Sequence, residues 1–145
     1  MARDDSDDLL ARMQAMDFGP ACALLGFRLL GFDREAAVAR CSFEARPEFG
    51  NPRGAIQGGI VSAMLDTAMS IAGVGTSNLE LDVPTLEMKT TYLRPAFPGT
   101  LYCEGRVIRM GRNIAFFEGT MNDAEGKLLA TATSTAFLIP GSHRK

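Results

Sequence analysis

Gln57-Gly58-Gly59-Ile60-Val61-Ser62-Ala63-Met64-Leu65-Asp66-Thr67-Ala68-Met69-Ser70-Ile71-Ala72-Gly73-Val74 is the stretch on which the fold turns. It reads as one long helix over about residues 57–74, apolar nearly all round, and such a helix must be buried. A membrane span is the rival reading. It fails because Ser62, Asp66, Thr67 and Ser70 interrupt the run, which falls short of about 20 clean apolar residues. Gly73 and Gly75 are expected to end the helix.

C-terminal to this helix, past Pro84, the texture is that of strands. Thr85–Leu93, Thr100–Met110, Asn113–Asn122 and Lys127–Ile139 have strand composition. Their short connections predict an antiparallel meander. Ala115-Phe116-Phe117 and Ala136-Phe137-Leu138-Ile139 are apolar on both faces, as in a sheet packed on a helix on one side and a second subunit on the other. N-terminal to the helix, residues 24–33 and 35–45 read as a strand pair turning at Asp33-Arg34. A short amphipathic helix over residues 6–17 is expected, capped by Ser6 with Asp7 and Asp8 in its first turn. The architecture predicted is α+β, a curved antiparallel sheet wrapped round a long central helix. The expected divisions are an N-terminal helical segment (1–19), the main domain (20–140) and a flexible tail (141–145).

The 145 residues suit one domain, and with 46% hydrophobic residues it can build a core without metal or disulfide staples. The net charge of −2 gives no basic face for nucleic acid. Cys22, Cys41 and Cys103 have no metal-ligand spacing and read as small buried hydrophobes. The start, Met1-Ala2-Arg3-Asp4-Asp5, lacks the pattern of a signal peptide, so a cytoplasmic location is the expectation. The single histidine, His143, lies near the C-terminus. Ser–His–Asp and Cys–His catalysis, and histidine-ligated zinc, are therefore not expected.

Asp66 is the only charged side chain between Gly54 and Leu79. A carboxylate in a buried helix costs several kcal/mol unless paired or hydrogen-bonded. It is thus either a structural acid meeting a partner from elsewhere or a general base or nucleophile in a desolvated cleft. Gly58 and Gly59 at the helix start leave backbone N–H groups open to a ligand, with the helix dipole adding positive potential, as an oxyanion hole requires. The bland alternative is a tight turn and close packing.

Asn51-x-x-Gly54-x-x-Gln57-Gly58-Gly59, then Asp66, Thr85, Tyr92-Leu93-Arg94-Pro95-Ala96 and Gly111-Arg112, resembles the hotdog-fold thioesterases. The similarity is to the phenylacetic-acid-degradation (PaaI-like) and 4-hydroxybenzoyl-CoA thioesterase group, over about residues 20–139. The resemblance implies hydrolysis of an acyl-CoA, without metal or redox cofactor, coenzyme A being part of the substrate. It implies that the Gly58 amide is the oxyanion donor and that Asp66 activates water or attacks the carbonyl. Asn51 would help shape the site, and Thr85 falls where relatives hold the water. Gly59 and Met64 would contact substrate, and Arg94, Arg109 and Arg112 lie near where relatives bind coenzyme A phosphates. Relatives usually carry His-Gly-Gly where this chain has Gln57-Gly58-Gly59; glutamine can donate a hydrogen bond but cannot become cationic.

Spacing adds an independent expectation. Eight residues of helix at about 1.5 Å each separate Gly58 from Asp66 by about 12 Å. One short carboxylate cannot close that gap, whereas a two-fold partner presenting its own Asp66 can. A homodimer is expected from this; a dimer of dimers is the form anticipated beyond it, with dimer versus tetramer left open by the sequence. The acyl group, aryl or medium-chain, stays open, with Phe49, Met64, Met69 and Met88 as candidate lining. Two rivals stand beside hydrolysis. A hydratase on the same fold pairs a carboxylate with an ordered histidine, and the one histidine here, His143, lies near the C-terminus. A non-catalytic acyl-CoA-binding or sensing protein is motivated by Gln57 and opposed by Asp66 and Thr85.

Overall fold

The computed structural model of the protein describes residues 5–142. The long central helix, α3, spans Gly58–Thr76. Six antiparallel strands form the sheet beneath it: β1 (Arg28–Asp33), β2 (Val38–Ala45), β4 (Thr85–Tyr92), β5 (Gly99–Met110), β6 (Ile114–Asn122) and β7 (Leu128–Phe137). Two short strands, β3 (Leu81–Asp82) and β8 (Ile139–Pro140), pair separately. Two helices precede the sheet, α1 (Asp5–Gln14) and α2 (Gly19–Leu24).

The core lies between α3 and the sheet. Val61, Met64, Leu65, Ala68, Met69 and Ala72 are buried on the helix, facing Phe43, Leu101, Cys103, Phe117 and Met121 on the strands. Each fully buried large side chain contributes about 1.5–3 kcal/mol. The closest approach is at Gly105 of β5, where a Cβ would overlap the Ala68 carbonyl and the Met69 nitrogen of α3. By length and composition α3 could cross a membrane, but its strand-facing side is packed on the sheet.

Several local expectations are corrected. Gly73 and Gly75 do not end α3; they lie inside it, where a Cβ would meet the Phe117 ring at 2.9 Å and the Phe32 ring at 2.8 Å. The helix runs to Thr76 and stops where Asn78 and Leu79 take positive φ. Ser6 lies within α1 rather than capping it. The chain expected to enter a strand at residue 24 instead forms α2, which Pro20 opens. The turn after β1 is longer than Asp33-Arg34: the Asp33 Oδ1 accepts from the Ala36 N–H, and Ala37 takes φ 56°. The tail expected from residue 141 is tied back at its start, Gly141 N–H to the Glu80 carbonyl and Ser142 N–H to the Asp82 carboxylate. His143 lies outside the described residues.

Strand order also departs from a simple meander: it is β1-β2-β5-β6-β7-β4. The connection 93–98 carries the chain from the β4 edge back to β5, passing the start of α3, where the Ile56 N–H donates to the Ala96 carbonyl. This crossing leaves β4 paired to β7 on one side and, among the described residues, unpaired on the other.

Candidate active site

Gly58, Ser62 and Asp66 recur at four-residue spacing, so they share one stripe of α3. That stripe faces β4, the edge strand. The stripe beside it, Gly59 and Ala63, is exposed, and Asp66, Thr67 and Ser70 are half-buried. The expectation of a helix buried all round therefore holds only on the sheet side, and within a single chain Asp66 is half-buried rather than desolvated. Small and polar residues on the open stripe explain this, since they gain little by being covered.

The Thr85 hydroxyl donates to the Asp66 Oδ1 at 2.6 Å. A β-bulge makes this contact. Thr85 pairs with Ala136 and Glu87 with Thr135, so Leu86 is the extra residue. Met88, Thr90 and Tyr92 pair with Ser134, Ala132 and Ala130, whose side chains are buried toward α3. Strict alternation from Met88 would turn Thr85 away from the helix; the bulge turns it back onto the face it shares with buried Ala136. Among the described residues no basic side chain pairs with Asp66, and the carboxylate keeps its second oxygen for another partner.

At the head of α3, Gln57 is the N-cap: its Oε1 accepts from the Gly59 N–H at 2.8 Å. That bond assigns the amide orientation and leaves the Nε2 as a donor. The Gln57 carbonyl takes the N–H groups of Ile60 and Val61. No group among the described residues accepts from the Gly58 N–H. It points from a positive helix end with no partner, which is the state an oxyanion donor needs. Asn51 organises the approach to it, its Oδ1 accepting from the N–H groups of Arg53 (2.9 Å) and Ala55 (3.2 Å).

A cavity of about 330 Å³ lies beside this helix start, lined among others by Asn51, Gly58, Tyr92 and Arg94. The Arg94 guanidinium is fixed by a 2.7 Å bond to the Leu128 carbonyl. The other expected contacts lie elsewhere. Met64 is fully buried in the core. Arg109 pairs with Phe116 on the sheet face turned from α3, and Arg112 is exposed in the turn between β5 and β6. Sequence reasoning passed over Ser62 and Thr90, whose hydroxyls are 2.7 Å apart in the same seam. The spacing of Ser62 midway between Gly58 and Asp66 was the available signal.

Comparison with known proteins identifies the fold and the family. The model of the thioesterase superfamily matches residues 53–130, more than half of the chain and both Gly58 and Asp66. A phenylacetic acid degradation-related protein from Ralstonia eutropha superposes with a TM-score of 0.81 at 32% identity, over 89% of this chain and 98% of that one. A Streptococcus mutans protein solved with acetyl CoA shares the fold, with a TM-score of 0.72 at 22% identity over 88% of this chain and 95% of that one. A Saccharolobus solfataricus protein that carries the provisional name of an esterase is 29% identical over 79% of this chain and 80% of its own. With the antiparallel sheet wrapped on one long helix, the unpartnered amide at the head of that helix and the carboxylate two turns on, the chain belongs to the thioesterase superfamily, the hotdog-fold thioester hydrolases.

Proposed function

We propose that this protein is an acyl-CoA thioesterase releasing an aryl or medium-chain acid and free coenzyme A. The observation that carries the reading is the unpartnered Gly58 N–H at the positive end of α3, with the Thr85-held Asp66 carboxylate on the same stripe. Asp66 takes a proton from water, and the oxygen attacks the thioester carbonyl. The Gly58 N–H holds the negative charge that forms on the carbonyl oxygen. Collapse breaks the C–S bond, and the thiolate leaves with a proton. Gln57 offers its Nε2 as a neutral second donor beside Gly58, in place of an imidazole. Asn51 keeps the approach loop in shape, and Gly59 and Arg94 border the path of the substrate, with Arg109 and Arg112 as further candidates for the coenzyme A phosphates.

The site is shared between two chains. About 12 Å of helix separates Gly58 from Asp66 in one chain, and the unpaired β4 edge beside both residues supplies a seam for an isologous partner. A further pairing of dimers has Ile108, Phe116 and Phe137, all exposed, as its apolar surface. The three free thiols suit a reducing cytoplasm.

Turnover of a panel of aryl and alkyl coenzyme A thioesters by wild type and Asp66→Asn tests the reading. The amide cannot accept a proton from water, so the rate should fall by roughly 10²–10⁴-fold with fold and assembly intact. Equal turnover by the two proteins would remove Asp66 from the chemistry.

A further inference from the structure

The seam between α3 and β4 contains a hydroxyl chain that the carboxylate does not use. The Tyr92 hydroxyl donates to the Gly58 carbonyl at 2.8 Å. The Ser62 Oγ lies 2.7 Å from the Tyr92 oxygen and 2.7 Å from the Thr90 Oγ1. A carbonyl can only accept, so the one Tyr92 proton is committed to Gly58. The Ser62 proton must then go to Tyr92, and the Thr90 proton to Ser62. All three hydroxyls point one way, from Thr90 through Ser62 and Tyr92 to Gly58, and each bond polarises the next.

The far end of the same peptide unit is also held. Its N–H, that of Gly59, donates to the Gln57 Oε1 at 2.8 Å. Two successive glycines restrain their own backbone weakly, and the first N–H groups of a helix have no intrahelical acceptor. The Tyr92 ring closes the remaining freedom: a Cβ on Gly58 would lie 3.1 Å from its Cζ, so the ring rests against the glycine. The Gly58–Gly59 peptide is therefore gripped at its carbonyl, its N–H and its flank. The Gly58 N–H adjoins that plane at the Gly58 Cα, across the two rotatable bonds of that one residue.

We propose that Tyr92, oriented by Ser62 and Thr90, is a positioning residue that holds the Gly58–Gly59 peptide so that the Gly58 N–H stays aimed at the thioester oxyanion. This rests on the thioesterase reading above. Tyr92 touches no reacting atom in this role; it acts through the glycine peptide.

Tyr92→Phe keeps the ring against Gly58 and removes only the hydroxyl. The expected result is a kcat lower by about 10–30-fold with KM within about two-fold, short of the 10²–10³ lost when an oxyanion donor itself is removed. Ser62→Ala should lower kcat by about three-fold in the wild-type background and by nothing further in the Tyr92→Phe background, since the chain is already cut. Hydrogen exchange of the Gly59 amide, followed by NMR, supplies a readout independent of turnover and should quicken by about ten-fold in Tyr92→Phe. Should that variant fold poorly, Ser62→Ala carries the same two readouts. An active wild type with kcat unchanged in Tyr92→Phe, or with Gly59 exchange unchanged, overturns the positioning role. A wild type inert on every thioester, with the Gly59 exchange still quickened, would instead overturn the thioesterase reading and leave the grip on the peptide standing.

Discussion

Mixing two inactive variants tests whether one chain's Gly58 meets another chain's Asp66. The variants are Asp66→Asn, which lacks the base, and Gly58→Pro, which lacks the donor N–H. The local geometry makes the proline a narrow perturbation. Gln57 has φ −60° and ψ 137°, the extended conformation that a residue before proline prefers. Gly58 is the first residue of α3, where proline breaks no helical bond. The new Cβ would lie 3.1 Å from the Tyr92 ring, which must yield by a few tenths of an ångström. Homodimers of the proline variant should retain about 10⁻²–10⁻³ of the wild-type rate, and those of Asp66→Asn roughly 10⁻²–10⁻⁴. In a heterodimer, one interfacial site joins the intact Gly58 to the intact Asp66, and the other carries both defects. Random exchange makes half the dimers mixed, with half their sites intact, so about a quarter of the wild-type rate should return. Differently tagged chains would report exchange by native mass spectrometry, and release of the coenzyme A thiol would report turnover. Exchanged, folded dimers that recover no activity would show that Gly58 and Asp66 do not meet across the interface.

Gly105→Ala should lower stability by about 3 kcal/mol in urea unfolding, because the new methyl meets helix backbone, which cannot yield as a side chain can; an unchanged midpoint would contradict so close an approach of β5 to α3. Burial pushes the Cys41 thiol up from 9.0 to about 12 and raises that of Cys103 as well. The folded chain then holds protons that the unfolded chain releases, so this part of the stability is full below about pH 9 and is lost as pH rises toward 12. Urea midpoints at about pH 7 and about pH 10 should differ in that direction, and equal midpoints would count against buried thiols. Removing residues 143–145 takes away His143 but keeps the Gly141 and Ser142 bonds to Glu80 and Asp82. Turnover should be unchanged, and a large loss from intact dimers would bring a histidine into the chemistry.

The central helix and its one carboxylate were legible in the sequence because both signals are local. Eighteen consecutive residues with a single charge, Gln57 to Val74, specify a packed helix wherever they sit. The Gly58-Gly59 start was legible for the same reason, since an unpartnered amide at a helix head follows from helix geometry. Pattern alone also indicated sheet on one side, and spacing indicated that Gly58 and Asp66 of one chain are too far apart to share one carbonyl.

What only the tertiary structure decided are relations between residues distant in the chain. Gly73 and Gly75 carry the mark of a helix end, yet they exist to admit Phe117, Met13 and Phe32 against the helix. A pattern of residue types cannot distinguish a glycine that turns the chain from one that makes room. The position of β4 beside β7, not β5, is set by a crossing that depends on where α3 begins. The bulge at Leu86 reverses the alternation that the sequence implies, and without it the Thr85 hydroxyl would face away from Asp66. Ser62, Thr90 and Tyr92 are ordinary polar residues in their local contexts; they become one directed hydrogen-bond chain only because the edge strand lies along one stripe of the helix. Local periodicity fixes which face of an element is polar, and the pairing register alone fixes which polar groups meet.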